Sequence, residues 1–193
     1  MKTKELHNYI SSQLHEIYPI NEAGSITAIL LDEIFGITRT DLIVNSSWEV
    51  SKDQQKRLEN LLSRLITNEP IQYVLGKADF YNRSFHVNQQ VLIPRRETEE
   101  LVDLIIQENN KPNLSILDIG TGSGCIPITL QLELKAAKVD AIDISEAAIA
   151  VAQANASMLN ATIGCFKMNA LSKWTLKNQY DIIVSNPPYV TIS

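Results

Sequence analysis

Hydrophobic side chains recur at helical spacing through the first seventy residues of the chain. Between residues 3 and 18 they return every three or four positions, which predicts an amphipathic helix. A second helix is predicted over 21–35, because Gly36 follows it and glycine is common just beyond a helix end. Two capping boxes predict further helix starts: Thr38 with Asp41, and Ser51 with Gln54. We therefore expect a small all-α domain over residues 1–70, which binds a partner, acts as a lid or only packs.

The pattern changes near Tyr73. Residues 73–93 mix aromatic and β-branched side chains with Gly76 and with turn-forming Asn-Arg and Asn-Gln pairs, which predicts a β-hairpin. Pro94 ends this pattern, and helical spacing predicts a helix from about Thr98 to Gln107. We therefore place a β-hairpin linker at 71–94.

From residue 95 onward, apolar strands alternate with helices. Strands are predicted at 114–119, 138–144, 162–168 and 180–185, with helices at 125–134 and 145–159. This alternation predicts βαβ units, and hence an α/β domain with a parallel sheet over residues 95–193. An open doubly wound sheet usually has more strands. We therefore expect the sheet to be truncated at its C-terminal end.

Composition and charge narrow the classes of function. The chain is 45% hydrophobic, has no apolar run of membrane-span length and lacks an N-terminal signal peptide, so we expect a cytoplasmic protein with no membrane partner. A net charge of -5 argues against direct binding of nucleic acid, which usually needs a basic face. Cys125 and Cys165 form no CxxC pair and the three histidines are scattered, so no metal site is expected.

A glycine-rich turn joins the first strand of the sheet to its helix. It has the spacing GxGxG, over residues 120–124, with Asp118 two residues before the first glycine. Glycines at such a turn let a ligand approach the main chain, although they can also serve only to tighten the connection. The dinucleotide fingerprint GxGxxG requires a third glycine where this chain has Cys125, which argues against a dehydrogenase. Asp143 ends the next strand, where a carboxylate can accept both ribose hydroxyl hydrogens or cap a helix.

The tetrapeptide Asn186-Pro187-Pro188-Tyr189 directly follows the last predicted strand, at the edge of the sheet where ligands of such folds bind. An amide or aromatic NH2 group is a poor nucleophile because its lone pair is delocalised. The Asn186 side-chain oxygen and the Pro187 carbonyl can accept its two N–H groups and stabilise the charge that develops on the nitrogen. Proline restricts the backbone here, and Tyr189 can pack flat on a planar group. The motif therefore predicts a site that aligns a planar NH2 group.

The segments IPRRETEELV, LDIGTGSG, AIDIS and VSNPPYV occur in this order after the helical region. Together they resemble the HemK/PrmC family of protein-(glutamine-N5) methyltransferases over essentially the whole chain. The resemblance implies a class I methyltransferase with a Rossmann-like sheet, S-adenosyl-L-methionine as cofactor and S-adenosyl-L-homocysteine as product. It also implies that peptide chain release factors are the substrate, methylated at the glutamine of Gly-Gly-Gln, and that residues 1–70 recognise them. One departure is Arg96, where the family usually has a second proline.

The resemblance also assigns roles to single residues. Asp118 would orient the glycine loop or the ammonium group of the cofactor, and Asn169 stands where the family commonly has an acid for the adenine amino group. An asparagine oxygen can still accept that hydrogen bond. The implied catalytic residues are Asn186, Pro187 and Tyr189, and these together with Pro188 would bind the substrate. The implied cofactor-binding residues are Asp118, Gly120, Thr121, Gly122, Ser123, Gly124, Asp143, Asn169, Ala170 and Asn186.

Three alternatives stay open at this point. Asn-Pro-Pro-Tyr also occurs in adenine-N6 methyltransferases of nucleic acids, although the helical region and the acidic charge favour a protein substrate. The second alternative is a sister enzyme, which methylates a glutamine of a ribosomal protein. A truncated chain could also bind a release factor without catalysing a reaction.

Overall fold

The computed structural model describes residues 2–109, 111–134, 136–172 and 179–187. Contacts divide the chain into two compact units, Met1–Leu75 and Gly76–Ser193, which we call the helical unit and the sheet unit. In the described parts of both units, no helix combines the length and the apolar character that a membrane span requires.

The described residues of the helical unit, 2–75, form five helices. They are α1 (Thr3–Leu14), α2 (Ile20–Phe35), α3 (Arg39–Val44), α4 (Lys52–Leu65) and α5 (Ile71–Leu75). Both predicted capping boxes form: the Thr38 hydroxyl accepts from the Asp41 N–H at 3.3 Å, and the Ser51 hydroxyl accepts from the Gln54 N–H at 3.2 Å. Each box supplies partners for backbone N–H groups that a helix start leaves unpaired.

The core of the helical unit is formed by the apolar faces of its helices. Ile10 and Leu14 of α1, Leu30 of α2 and Leu65 of α4 are fully buried in it. The first helix is shorter than its hydrophobic stripe predicts, since α1 ends at Leu14 and Ile17 remains 40% exposed.

A second difference from the sequence prediction lies at α5. Residues 71–75 are helical, whereas the sequence pattern placed them at the start of the hairpin linker. The Pro70 carbonyl accepts from the N–H groups of Tyr73 and Val74 at 2.9 and 3.0 Å. Proline has a fixed φ that suits the first turn of a helix, so Pro70 begins a helix here.

The sheet unit begins with a hairpin and continues as an alternating α/β fold. Its elements are β1 (Lys77–Phe80), β2 (Arg83–His86), α6 (Arg96–Glu108), β3 (Ser115–Ile119), α7 (Cys125–Glu133), β4 (Lys138–Asp143), α8 (Glu146–Met158), β5 (Ile163–Lys167) and β6 (Ile182–Ser185). β1 and β2 pair antiparallel, and the other strands form a parallel sheet in the order β5-β4-β3-β6. The predicted α/β class, parallel sheet, helical region and hairpin are confirmed.

Strand register brings the chemistry-bearing positions to one edge of this sheet. Ile119 pairs with Ile142 on one side and with Ser185 on the other, so the carboxyl ends of β3, β4 and β6 lie side by side. The hairpin packs into the same core: the rings of Phe80 and Phe85 meet edge to face, with centroids 6.1 Å apart. The loops that follow the three strands are therefore held close together on a rigid support.

Candidate active site

A cleft of about 1020 Å³ opens at the carboxyl edge of the parallel sheet. Its described lining comes from five stretches of chain: the segment after the hairpin, the start of α6, the loop after β3, the loop after β4 and the segment after β5, with Asn186 completing it. Six of the residues predicted for the site line this cleft, and these are Gly120, Gly122, Asp143, Asn169, Ala170 and Asn186. Ligand sites of open α/β sheets usually occupy this position.

The glycine loop has the backbone conformation that its sequence demands. Gly120, Gly122 and Gly124 all have positive φ, at 77°, 52° and 79°. A Cβ added at Gly120 or Gly122 would meet no protein atom within 4 Å, whereas one at Gly124 would lie 3.0 Å from the Cβ of Ala152. The first two glycines therefore leave main chain open to the cleft, and the third allows the loop to pack on α8.

Asp143 connects the glycine loop to the start of α8. Its Oδ2 accepts from the N–H of Gly122 at 3.0 Å, and its Oδ1 accepts from the N–H of Ser145 at 2.9 Å. The Ser145 hydroxyl in turn accepts from the N–H of Ala148 and caps α8. Each carboxylate oxygen has a second lone pair, so Asp143 can fix the loop and accept hydrogen bonds from a ligand at once.

Asp118 lies beneath the loop and does not line the cleft. Its side chain is 0% exposed, and neither carboxylate oxygen has a hydrogen-bond partner among the described residues. Burial raises the pKa of Asp118 to about 7; the Thr121 hydroxyl opposes this shift, and the charge of Asp143 adds to it. Thr121, Ser123 and Gly124 are likewise absent from the described cleft lining, and all three are buried. Asp118 therefore lies behind the loop, and these three loop residues are turned away from the cleft.

Asn169 and Ala170 line the cleft just after β5. The Asn169 side-chain oxygen already accepts from the N–H of Leu171 at 2.9 Å. Met168 is held by its N–H, which donates to the carbonyl of Asp143 at 2.8 Å. The segment is therefore tied to the end of β4, and a ligand would have to share the Asn169 oxygen with the backbone.

Asn186 stands where β6 ends, and its orientation is fixed. Its Nδ2 donates to the hydroxyl of Thr98 on α6 at 2.9 Å, and Thr98 is only 6% exposed. The preceding residue is also tethered, because the Ser185 hydroxyl donates to the carbonyl of Ile119 at 2.7 Å. Pro187 is exposed. The roles predicted for Pro188 and Tyr189 fall on positions outside the described residues.

The segment that leads into α6 forms one wall of the cleft. Arg95, Glu97 and Thr98 line it, while Arg96, which replaces the second proline of the family pattern, is the first residue of α6. The Glu99 carboxylate accepts from the N–H of Tyr81 at 2.9 Å and so joins this segment to the hairpin turn. In the sequence, the IPRRETEELV segment contributed to the family resemblance, but nothing in it indicated Thr98 as the partner of Asn186.

Two further features were not predicted from the sequence. Gln90, Val91 and Leu92 form another wall, although they carry no motif. Cys125, the first residue of α7, follows the glycine loop directly and is 8% exposed. Burial raises the pKa of its thiol to about 12.

Comparison with known proteins agrees with this geometry. Residues 98–192 match the family model described as the methyltransferase small domain, and residues 5–76 match that of the PrmC N-terminal domain. The release factor glutamine methyltransferase of Bacteroides thetaiotaomicron is 46% identical over 184 residues, which are 95% of this chain and 66% of that protein. The enzyme of the same name from Flavobacterium psychrophilum is 42% identical over 194 residues, covering 98% of this chain and 68% of its own length.

Among solved structures, the ribosomal protein L11 methylase of Lactobacillus delbrueckii subsp. bulgaricus aligns with 30% identity and a TM-score of 0.42, over 48% of this chain and 47% of that one. The chain spans about two thirds of the length of the curated relatives that it matches.

The parallel sheet, the glycine loop at its carboxyl edge and the matching domain model define a methyltransferase. Within that class, the chain belongs to the release factor glutamine methyltransferase family. The cofactor of this class is S-adenosyl-L-methionine.

Proposed function

We propose that the cleft of the sheet unit methylates the side-chain amide nitrogen of a glutamine, in the Gly-Gly-Gln motif of peptide chain release factors. The observation that carries this proposal is that Asn186, held by Thr98, lines the same cleft as the glycine loop. The names of the two relatives support the choice of substrate. Because release factors act in translation, we place the activity in the cytoplasm.

The residues of the cleft fit S-adenosyl-L-methionine. Main chain at Gly120 and Gly122 is open to the cleft, and the Asp143 carboxylate retains acceptor capacity for ribose hydroxyls. Asn169 and Ala170 would face the adenine, and Asp118, buried beneath the loop, would orient the loop and not contact the cofactor itself. When bound, the cofactor supplies a methyl group on a positively charged sulfur.

Asn186 would hold the amide that receives the methyl group. Because its Nδ2 is engaged by Thr98, the planar side chain has one orientation, which also sets the direction of Oδ1. We propose that Oδ1 and the Pro187 carbonyl accept the two N–H groups of the substrate glutamine. This contact turns the nitrogen lone pair towards the methyl group and stabilises the positive charge that grows on the nitrogen. After transfer, the nitrogen releases one proton to water.

We assign substrate recognition to the helical unit. It contains its own cleft of about 790 Å³, lined by residues that include Tyr9, Trp48 and Glu59. Tyr9 is 47% exposed, and partly exposed aromatic side chains are common anchors of protein interfaces. The net charge of -5 favours a protein over a nucleic acid as the substrate.

The proposal is tested by offering the complete enzyme a choice of methyl acceptors. A release factor, a ribosomal protein preparation and duplex DNA are incubated together with S-adenosyl-L-methionine that carries a labelled methyl group. Mass spectrometry of the digested products is expected to place the label on the glutamine of Gly-Gly-Gln. Label on adenine alone would reject the assignment. Label on a ribosomal-protein glutamine would keep the chemistry and change the partner.

A further inference from the structure

A buried asparagine on α8 makes its described side-chain hydrogen bonds outside its own helix. Asn155 is 0% exposed. Its Nδ2 donates to the carbonyl of Ser123 at 2.8 Å and to the carbonyl of His86 at 2.9 Å, and its Oδ1 accepts from the N–H of His86 at 2.7 Å. Both of its donor hydrogens are therefore used. A fully buried amide with this many main-chain partners fixes the backbone that it contacts.

One of these partners lies within the glycine loop. The carbonyl of Ser123 and the N–H of Gly124 belong to the same planar peptide group. Asn155 holds the carbonyl end, and the N–H end donates to the carbonyl of Thr121 at 2.9 Å. The peptide group is thus held at both ends, so it cannot rotate while Asn155 is in place.

The other partner lies at the end of the hairpin. His86 is the last residue of β2, and the chain continues directly into the cleft wall at 90–92. The connecting residues are also fixed: the N–H of Val87 donates to the carbonyl of Gly76, and the N–H of Val91 donates to the carbonyl of Asn88, both at 3.1 Å. The position of His86 therefore determines where this wall stands.

We propose that Asn155 is a positioning residue for the methyl-transfer site, which sets the distance between the glycine loop and the wall at 90–92. It joins the two through a single rigid amide, although it does not line the cleft itself. This inference rests on the proposed function only for the identity of the ligand between the loop and the wall, S-adenosyl-L-methionine. The coupling of the two segments by Asn155 does not depend on that identity.

The test compares variants that remove the amide with one that weakens only α8. Asn155→Leu keeps the approximate volume and removes every hydrogen bond, and Asn155→Asp keeps the acceptor for His86 while losing both donors. Ala156→Gly is the control, because Ala156 is buried on the same helix and a glycine there destabilises the helix. Each variant is made in the complete enzyme, and the measurements are the thermal midpoint, amide hydrogen exchange and the Kd for S-adenosyl-L-homocysteine.

Both Asn155 variants are expected to raise the Kd by about tenfold or more and to speed exchange in 120–124 and 86–91 together. Ala156→Gly is expected to lower the midpoint without changing the Kd or the exchange of those two segments. If Asn155→Leu does not fold, Asn155→Asp carries the test.

A Kd within twofold of wild type in the Asn155 variants, with exchange increased only along α8, would overturn the positioning role. If wild type itself binds no S-adenosyl-L-homocysteine, the proposed function fails. The exchange pattern then still decides whether Asn155 couples the two segments.

Discussion

Thr98 and Asn186 are 88 residues apart in the chain, and a 2.9 Å hydrogen bond joins their side chains in the lining of the cleft. The Thr98 hydroxyl is buried at the first turn of α6, so it gives the Asn186 amide a fixed partner. In the proposed reaction, Asn186 accepts an N–H group of the substrate in one direction. A fixed hydrogen bond with Thr98 favours this role, because the Asn186 amide then need not reorient during the reaction.

The first prediction is that losing this support lowers turnover. Thr98→Val keeps the volume of the side chain and removes the hydroxyl, and we expect kcat to fall by about tenfold, which corresponds to roughly one lost hydrogen bond. Asn186→Ala should cost more, about 10²–10³ in kcat, because it removes the acceptor itself. Thr98→Ser is the control and should retain most activity. Equal turnover of Thr98→Val and wild type would show that the hydrogen bond has no role in catalysis.

The second prediction separates backbone strain from ligand access at the glycine loop. Gly122 and Gly36 both have positive φ, 52° and 65°, and an added Cβ meets no protein atom within 4 Å at either position. Gly122→Ala and Gly36→Ala should therefore each cost about 1 kcal/mol of stability. Only Gly122→Ala should weaken S-adenosyl-L-homocysteine binding, by roughly tenfold, because its methyl group enters the cleft. Calorimetry that gave both variants the same Kd would contradict a ligand at this loop.

The third prediction concerns pH. Burial raises the pKa of Asp118 from the ordinary 3.8 to about 7, so between these values the folded protein binds more protons at this site than the unfolded chain. The contribution of this group to stability is therefore full below about pH 4 and is lost as the pH rises through about 7. Asp118→Asn should make this loss of stability with rising pH less steep. At pH values above 7, it should also raise the thermal unfolding midpoint of the unliganded protein. The check is thermal unfolding from pH 5 to 8, and parallel curves for the two proteins would refute it.

The fourth prediction concerns the helical unit. Without residues 1–75, the enzyme should show a much higher KM for the protein substrate and nearly the same Kd for the cofactor, because every described residue of the cofactor cleft lies in the sheet unit. Tyr9→Ala in the intact chain is a milder test of the same idea and should raise KM alone. An unchanged KM in both proteins would leave the helical unit with a packing role only.

Most of the fold could be predicted from local sequence patterns. The capping boxes at Thr38 and Ser51 formed as predicted, and the predicted strand at 114–119 became Ser115–Ile119, because caps and apolar runs act on neighbours in sequence. The short helix at Ile71–Leu75 was missed, since Pro70 can end one helix or begin the next and the chain alone does not say which.

The site was harder to predict than the fold. Sequence spacing predicted the glycine loop and Asp143 as candidate cofactor-binding positions. It did not predict the distant residues that hold the candidate site in place. Asn155 contacts His86 across 69 residues and Thr98 contacts Asn186 across 88, and no periodicity links positions so far apart. Sequence also gave no indication that Asp118 would lie behind the loop, because burial depends on the packing of the whole sheet.

Burial of the Cys125 thiol has a consequence for chemical selectivity. A sulfonium methyl group is an electrophile that alkylates thiolates readily, and this cysteine follows the glycine loop without an intervening residue. Because burial raises the pKa of the Cys125 thiol to about 12, the thiol is neutral at pH 7. A neutral, buried thiol is a poor nucleophile, so we expect Cys125 not to react with a sulfonium ligand bound at the neighbouring loop.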